Sequence, residues 1–307
     1  MLALVYKGRK TMSKIKLTSK RKWGIIFVSP WIIYFLVFLA YPMSLALKNS
    51  FLKINLIQPE KASFVGFENW IKVATDGLFW KSMFNILFNQ SIFIGLTFIV
   101  ALSLALILTK IKFGGSIFRT IYFIPMITSV VVGMFIFDYI SGPTGPIQQL
   151  MLQNGWIGES VFWKSTKWLP MPLIAIFSTW KWFGIQMIIF IGGLSGIDNQ
   201  VLEAAEIDGS SWLNTLFKIT IPLLKPQIVF IMTMNIINGF QMFGEVYINF
   251  DLLGGPYNSA LTPVMYLYKK GFQDMQMGEA STIGILLAIV IFILTKVQDK
   301  ILDVTEQ

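Results

Sequence analysis

The sequence predicts an all-α polytopic membrane protein with six transmembrane helices. The chain is 55% hydrophobic and 13% charged, with a mean hydropathy of +0.66, whereas soluble globular domains carry about 25% charged residues. It also contains six apolar stretches of the ~20 residues that a helix needs to cross a bilayer. No ten-residue alternating pattern typical of a membrane β-barrel is present, which favours helices over strands.

The six predicted spans are separated by loops that hold most of the charged residues. In chain order the spans cover residues 24–45, 83–109, 120–140, 173–193, 227–248 and 280–297. Neither an internal repeat nor a helix broken at mid-membrane is expected from the pattern. The predicted organisation is a basic tail at 1–22, a transmembrane domain at 23–300 and a short C-terminal tail at 301–307.

Residues 1–22 carry eight Lys or Arg and no acidic residue. This is typical of a signal-peptide n-region or of a cytoplasmic tail before a retained anchor. The apolar segment that follows, 23–47, is longer than the 7–15-residue core of a signal peptide and lacks a small-residue cleavage site. We therefore expect a retained first helix, while translation from Met1 or from Met12 stays open.

The distribution of basic residues predicts the orientation, because cytoplasmic loops are enriched in Lys and Arg. With the N-terminus inside, the cytoplasmic segments hold fifteen Lys or Arg and the outer loops nine. Both termini and the polar segment at 199–226 are therefore predicted to face the cytoplasm. The net charge of +9 follows from these membrane-edge residues, so it does not indicate nucleic-acid binding.

The composition argues against an enzyme. The chain has no Cys and no His, which removes the thiol nucleophile and the commonest ligands of zinc, iron and copper. The only acidic residues within the predicted spans, Asp138 and Glu245, are about a hundred residues apart. The phosphate-binding pattern G-x-x-x-x-G-K-[ST] is absent, so ATP hydrolysis by that route is not expected of this chain.

The polar segment at 199–226 has an internal order. Residues 201–208 are good helix formers, and Gly209 permits the turn that follows. Either Ser210 or Ser211 suits the N-cap of a second short helix at 212–219. Pro222 closes the segment, and Pro226 suits the first turn of the next helix.

This segment resembles the EAA loop of ABC importer permeases. The matching pattern is Glu203-Ala204-Ala205, three residues, Gly209, nine residues, Ile219, one residue and Ile221-Pro222. It departs from the family pattern at Ile221, where Leu is usual. The stretch from Glu203 to Gly209 is similar to the carbohydrate-uptake branch in particular. Outside the segment, the loops at 49–81, 141–171 and 249–279 also resemble those of sugar-permease subunits.

The resemblance implies a subunit of the bacterial cytoplasmic membrane, multi-pass, whose cytoplasmic helix-turn-helix docks on an ATPase subunit. It assigns this coupling role to Glu203, Ala204, Ala205, Asp208, Gly209 and Phe217. The implied partners are two ATPase subunits, a second permease subunit that we expect to be a paralogue, an extracellular solute-binding protein that meets the outer loops, a carbohydrate and membrane lipid. No cofactor is expected on this chain, since ATP and Mg would be bound by the ATPases.

Polar residues within the spans are candidates for a substrate path, because such residues face a bundle interior or a cavity. On the fifth helix they fall within about 120° of one another and form a single polar stripe. They are Asn235, Asn238, Gln241 and Glu245, and the fourth helix adds Trp180, Trp182 and Gln186, with Lys181 among them. The alternative is that the amides join helices and that the tryptophans are membrane-interface residues. For Asn85 and Asn89 we expect this structural role.

These observations predict a permease subunit of an ATP-driven carbohydrate importer that works by alternating access. The alternative is an ion-coupled secondary transporter of a small polar solute. Such a transporter would be expected to contain broken helices and internal repeats, and only Asp138, Lys181 and Glu245 could couple an ion.

Overall fold

The computed structural model describes residues 23–24, 26–111 and 113–302, so the basic tail and residues 303–307 lie outside the described residues. The described chain is almost entirely helical. Its helices are α1 (Ile26–Ser50), α2 (Glu68–Ala74), α3 (Gly77–Lys110), α4 (Gly115–Ile127), α5 (Val130–Ser141), α6 (Pro146–Gln153), α7 (Pro170–Ser195), α8 (Asn199–Ile207), α9 (Trp212–Leu223), α10 (Lys225–Gly239), α11 (Gly244–Phe250), α12 (Pro263–Tyr268) and α13 (Met277–Ile301).

The small remainder of regular structure lies in the loops. Strands β1 (Leu52–Lys53) and β2 (Ser63–Phe64) form one antiparallel pair. Short 3₁₀ turns occupy Pro59–Lys61, Trp163–Ser165, Asp251–Leu253 and Pro256–Asn258. Parts of α1 and α9 are π-wound, at Phe35–Ala40 and Leu216–Thr220, and a π turn at Lys269–Gln273 follows α12.

The long helices define two ends of the molecule. We call the end with residues 110–115, 195–224 and 301 the lower end, and the opposite end, with 50–76, 142–169 and 251–276, the upper end. Helices α3 and α7 run side by side and in the same direction. Asn89 of α3 donates to the carbonyl of Met171 at 2.9 Å, and Thr97 donates to Thr179 at 3.2 Å, so the two helices advance together from the upper end.

The described chain contains five or six candidate membrane spans, in agreement with the predicted all-α membrane architecture. Five helical stretches are long and apolar enough to cross a membrane: Ile26–Ser50, Gly77–Lys110, Val130–Gln153, Pro170–Ser195 and Met277–Ile301. A sixth is formed if the bent pair Trp212–Leu223 and Lys225–Leu253, which meet at 68°, is one span. Helix α4 is a further apolar helix of 13 residues.

The predicted continuous third span, 120–140, is wrong. Helix α4 ends at Ile127 and α5 begins at Val130, while Thr128 and Ser129 have ψ values of 136° and 135°. Pro125 lies in the last turn of α4, where it cannot donate the usual helical hydrogen bond. Thr and Ser next to it are weak helix formers, so the chain leaves the helix there.

The fifth predicted span, 227–248, is also not one helix. Gly239 ends α10 and Gly244 begins α11, and the four residues between them are not in a helix. A side chain at Gly239 would require the amide of Gln90 to move. The expectation that no span is broken therefore fails at two places.

Two buried clusters hold the bundle together. The upper cluster joins the first turns of α3 and α7 with α5, α11, α12 and α13, and it includes Ile86, Ile174 and Met265. The lower cluster joins the ends of α3 and α7 with α10. Helix α1 contributes little to either, since nearly all of its side chains are exposed.

Asn85 and Asn89 have the structural role that the sequence predicted. Asn85 donates to the carbonyls of Asn258 and Leu261 at 2.9 and 3.0 Å, and Asn89 donates to Met171. Both amides join α3 to backbone of other segments. Because an unpaired carbonyl in a membrane interior costs several kcal/mol, these bonds hold the loop at 254–262 and the start of α7 against α3.

A glycine sets the distance between α4 and α7. A methyl group at Gly184 would overlap the carbonyl oxygen of Tyr122 and lie 3.3 Å from the Cα of Phe123. Since both neighbours are backbone atoms, a side chain here could be accommodated only by moving a helix. A methyl group at Gly192, on the same helix, would meet no heavy atom within 4 Å.

We expect Gly184→Ala to lower stability by about 1–3 kcal/mol, the usual cost of overpacking a tight contact. Gly192→Ala is the matched control and should be neutral or slightly stabilising, because alanine favours the helix. The measurement is thermal unfolding of the two purified variants in detergent. Equal melting temperatures would show that α4 and α7 do not approach as closely as described.

Candidate functional site

The polar segment forms two short helices at the lower end. Helix α8, Asn199–Ile207, matches the predicted helix at 201–208 apart from its bounds. Its N-cap is Asp198, whose carboxylate accepts a hydrogen bond from the backbone N–H of Gln200 at 2.9 Å. A carboxylate at this position also favours the helix because it faces the positive end of the helix dipole.

The turn between α8 and α9 is built as the sequence predicted. Gly209 has a φ of +73°, a left-handed conformation that residues with a Cβ rarely adopt. Of the two candidate caps, Ser211 is the N-cap of α9, since its hydroxyl accepts from the N–H of Asn214 at 3.3 Å. The N–H of Ser210 donates back to the carbonyl of Ala205 at 2.9 Å, which closes the end of α8.

The two short helices expose most of the residues predicted to couple to an ATPase. Those exposed are Glu203, Ala204, Asp208, Gly209 and Phe217, while Ala205 is buried. Three large apolar side chains that the sequence analysis did not single out are exposed with them. Ile207, Trp212 and Leu213 are 86%, 60% and 57% exposed, and with Phe217 they form what we call the lower apolar set. Apolar exposure on this scale is typical of a surface that binds another protein.

Helix α9 leads directly into α10. Only Leu224 separates them, and this residue is completely buried in the lower cluster. Pro226 lies in the first turn of α10, as predicted. A displacement of the short helices must therefore reach α10 through one packed side chain and a 68° bend.

The predicted polar stripe is divided between three environments. Asn235 is buried on α10 and pairs with Gln186 of α7: the Gln186 amide donates to the Asn235 oxygen at 2.8 Å, and the reverse bond measures 3.5 Å. Asn238 and Gln241 are exposed, and Gln241 donates only to the carbonyl of Ile237, at 2.9 Å. Glu245 lies beyond the break, in the first turn of α11. A single helical stripe, as predicted from a continuous helix, is therefore not what forms.

Lys181 closes the break in the third span. Its ammonium is buried and donates to the carbonyls of Thr128, Met126 and Pro125 at 2.6, 3.3 and 3.5 Å. These carbonyls lie at the end of α4 and at its C-cap Thr128, where the next helical turn is missing, although that of Pro125 also accepts from the N–H of Thr128 at 3.2 Å. A cation is favoured at this position because it faces the negative end of the helix dipole.

The two breaks are joined by packing, since α11, the helix beyond the second break, packs on α5, the helix beyond the first. The ammonium of Lys181 also lies 5.5 Å from the ring centroid of Trp182. The neighbouring Trp180 is 41% exposed and packs on Phe177, with ring centroids 5.8 Å apart.

The second break is held by Thr262. Its hydroxyl donates to the carbonyl of Met242 at 2.8 Å, inside the break, and accepts from the N–H of Met265 at 3.4 Å as the N-cap of α12. One buried side chain thus ties the unwound residues between α10 and α11 to the next helix. Asp138, the other acidic residue predicted within a span, pairs with Lys164.

A network of charged groups joins the loops of the upper end. Glu279, at the start of α13, is buried and pairs with Lys72 of α2 and, at 3.1 Å, with Lys270. The hydroxyl of Tyr266 donates to Asp76, whose other carboxylate oxygen caps α3 through the N–H of Leu78. Burial, together with the adjacent carboxylate of Asp76, raises the pKa of Tyr266 well above its ordinary value. The phenol therefore stays protonated and remains a hydrogen-bond donor at physiological pH.

Comparison with known proteins identifies the family. Residues 97–304 match the model of the binding-protein-dependent transport system inner membrane component. The chain belongs to this family. The resemblance drawn from the pattern at 203–222 is thereby confirmed, and the protein is a permease subunit of an ABC importer.

Individual relatives align over nearly the whole chain. The arabinooligosaccharides transport system permease protein AraP of Halalkalibacterium halodurans is 32% identical over 279 residues, 89% of this chain and 85% of the relative. The lactose transport system permease protein LacF of Rhizobium radiobacter is 32% identical over 279 residues, 90% of this chain and 92% of the relative.

Solved structures share the fold. A chain in the crystal structure of a bacterial ABC transporter involved in the import of the acidic polysaccharide alginate superimposes with a TM-score of 0.76, at 22% identity. The match covers 96% of this permease and all of that chain. A second structure, of the alginate transporter in complex with an alginate pentasaccharide-bound periplasmic protein, gives 0.73 at 21% identity, over 92% and 94% of the two chains.

The pair of Gln186 and Asn235 generates a prediction about stability. Gln186→Leu or Asn235→Leu alone leaves one buried amide without its partner, which costs about 1–3 kcal/mol. The double variant removes both amides and should therefore cost less than the sum of the two single changes. The free energy of unfolding in detergent, measured for all four proteins of the cycle, tests this.

Gln241→Leu is the control for this cycle, because its amide is exposed and bonds only within its own segment. It should change stability by no more than about 0.5 kcal/mol. Additive losses for Gln186 and Asn235 would contradict a direct pair.

Proposed function

We propose that this permease subunit forms, with a second permease subunit, the translocation path for a sugar or oligosaccharide delivered by an extracellular binding protein. The observation that supports this proposal is the exposed helix-turn-helix with the pattern at 203–222. It is joined through Leu224 alone to α10, which presents the exposed amide of Asn238. Relatives named for arabinooligosaccharide, lactose and trehalose transport support a sugar as the substrate. Six spans enclose a path only with difficulty, which favours a paralogous partner or a second copy.

The lower end faces the cytoplasm in this proposal. The basic residues of the N-terminal tail, with the excess of fifteen Lys or Arg over nine, support this orientation. Both termini are then cytoplasmic, and α8 and α9 are accessible to ATPase subunits. The upper end, with the loops joined by Glu279 and Asp76, then faces the binding protein.

The coupling surface combines one carboxylate with apolar side chains. Glu203 is exposed on α8, and no contact within the described residues explains an acidic side chain there by folding. Its carboxylate can therefore accept charge-assisted hydrogen bonds from an ATPase. The exposed side chain of Phe217 and the rest of the lower apolar set supply area that becomes buried on docking. Ala205 is buried, so its small size lets α8 lie close to the neighbouring chain. ATP and Mg belong to the ATPase subunits.

Alternating access needs a mechanical link from this surface to the path. Because Leu224 is fixed in the lower cluster, a movement of α9 should be transmitted to α10, not absorbed. The break after Gly239 then allows α10 to change its angle to α11 without unfolding either helix. The bond from Thr262 to Met242 would keep the unwound residues in place during this change.

The path itself is assigned to the exposed polar groups at the second break. Asn238 and Gln241 are exposed within a span, where contact with lipid would be costly, so they are expected to face water, substrate or the second permease. Glu245 is partly exposed beside them. Asn235 and Gln186 are engaged with each other, and their role is to position α10 against α7. Trp180 and Trp182 offer aromatic faces near the same level.

These groups suit a neutral sugar better than an acidic one. Amides and a carboxylate provide both donors and acceptors for sugar hydroxyls. The nearby cation Lys181 already donates to three carbonyls. A uronate carboxylate would have to compete with these carbonyls for its ammonium.

A coupling prediction follows from the exposed carboxylate on α8. Glu203→Ala should lower binding-protein-stimulated ATP hydrolysis by about tenfold or more, since a hydrogen bond to a charged group contributes about 1.5–3 kcal/mol. Glu206→Ala, on the same helix and also exposed, is the matched control and should be close to wild type. Gly209→Val should also uncouple the complex, because its φ of +73° strains any residue with a Cβ.

Stimulated ATPase rates of the reconstituted complex, with expression checked by immunoblot, provide the measurement. A similar loss of ATPase rate in Glu203→Ala and Glu206→Ala would show that any negative charge on α8 supports coupling. That result would contradict a specific role for Glu203.

A path prediction concerns the exposed amides. Asn238→Leu and Gln241→Leu each remove hydrogen bonds with a net value of about 0.5–1.5 kcal/mol, a factor of roughly 2–10 in affinity. Sugar uptake should fall by such a factor and the preference among related sugars should shift, while assembly survives. Met234→Leu, exposed on the same helix, is the apolar control.

Uptake of labelled neutral sugars, with uronate oligosaccharides as competitors, and detergent-resistant assembly should be measured on the same preparations. Loss of assembly in step with uptake would reassign both residues to the interface between permeases.

A further inference from the structure

A small cavity with a mainly apolar lining and a few polar groups opens at the upper end, apart from the proposed path. It has a volume of about 220 Å³ and lies between the first turns of α3, the segment that leads into α7 and the loop before α12. The residues that define it are Lys81, Phe84, Phe88, Lys167, Trp168 and Ser259. The proposed transport mechanism makes no use of it.

The polar groups of this cavity are donors without an anionic partner. Lys81 donates to the carbonyl of Tyr257, and the ammonium of Lys167 lies 5.0 Å from the ring centroid of Trp168. Within the described part of the chain, neither lysine pairs with a carboxylate. The hydroxyl of Ser259 is buried and has no hydrogen-bond partner there either. Two ammonium groups and an unused hydroxyl are complementary to an anion that offers several oxygen acceptors.

The other side of the cavity is apolar and faces outward. Phe84 and Phe88 are 62% and 40% exposed, and their rings are parallel with centroids 6.4 Å apart. Because a helix rises 1.5 Å per residue, they lie roughly 4.5 and 10.5 Å below Lys81 along α3. Helix α3 is long and apolar enough to cross a membrane, and these rings lie near its upper end. Trp168, 69% exposed at the same level as the lysines, is typical of the membrane interface.

We propose that this cavity binds one anionic phospholipid. Its phosphate lies between Lys81 and Lys167, within reach of the Ser259 hydroxyl, and an acyl chain lies along Phe84 and Phe88. The order of the groups along α3, from cation to aromatic ring to aromatic ring, follows the order of a phospholipid from head group to chain. A free phosphate would satisfy the cations but would leave the rings uncovered. The proposal does not depend on which side of the membrane the upper end faces, since either leaflet can supply such a lipid.

The test uses the assembled transporter, delipidated in detergent and titrated with phosphatidylglycerol or phosphatidylcholine under native mass spectrometry. Phosphatidylglycerol should bind more tightly. The double variant Lys81→Gln/Lys167→Gln should weaken its binding by about 30-fold, on the basis of two basic residues at the membrane surface. Lys53→Gln/Lys61→Gln, two exposed upper-end lysines outside the cavity, is the control and should bind as wild type. Lys81→Arg/Lys167→Arg should retain binding, which separates loss of charge from misfolding.

Two further measurements decide whether the anion is a lipid or free phosphate, and whether the surface binds lipid or a second subunit. Phe84→Ser/Phe88→Ser should weaken phosphatidylglycerol binding, while inorganic phosphate in millimolar excess should not displace the lipid from wild type. Equal binding of the two lipids, unchanged binding by the glutamine variant, or displacement by phosphate would each overturn the proposal. So would a cross-link from a cysteine at Phe88 to the second permease, because the surface would then be a subunit interface.

Discussion

The backbone carbonyls at the end of α4, where the helix stops inside a span, are the constraint on which the centre of this permease depends. In a bilayer, a backbone group without a partner costs several kcal/mol, so an interrupted span needs a substitute for its missing helical bonds. The ammonium of Lys181 provides it by donating to two carbonyls of α4 and to that of the next residue, Thr128. A buried cation is itself costly, and these three hydrogen bonds offset part of that cost.

This arrangement explains why α7 is the most completely buried long helix of the bundle. It carries Lys181 toward α4, Gly184 against the backbone of Tyr122, and Gln186 toward α10. Each contact requires α7 at a particular height and rotation. The helix that holds the breaks in position is therefore fixed, and the freedom to move remains with α10 and α11, which join at an unwound segment.

The polar residues of the spans fall into two groups, according to whether their side chains form a hydrogen bond to another element of the chain. Asn85, Asn89, Asn235 and Gln186 bond to backbone or to each other, and they determine how helices pack. Asn238 and Gln241 bond to no other element in the described chain and are exposed. In a membrane-embedded protein the bonded amides serve helix packing, whereas the exposed amides are available for recognition. An exposed amide must find its hydrogen-bond partner in water, substrate or a second subunit. The neutral-sugar proposal rests on this distinction.

The sequence by itself determined the features that depend on composition and on short spacings. Hydropathy predicted the membrane spans, and the preference of glycine for positive φ predicted the turn at Gly209. The pattern at 203–222 indicated the family. Only the tertiary structure decided which polar residues meet and where spans break. The stripe from Asn235 to Glu245 was drawn on a continuous helix, and Pro125, Thr128 and Ser129 lie in a stretch that was predicted as one span from its hydropathy. Breaks such as these are stable only because residues distant in the sequence, Lys181 and Thr262, bond to the exposed carbonyls, and periodicity along one segment carries no information about such long-range partners.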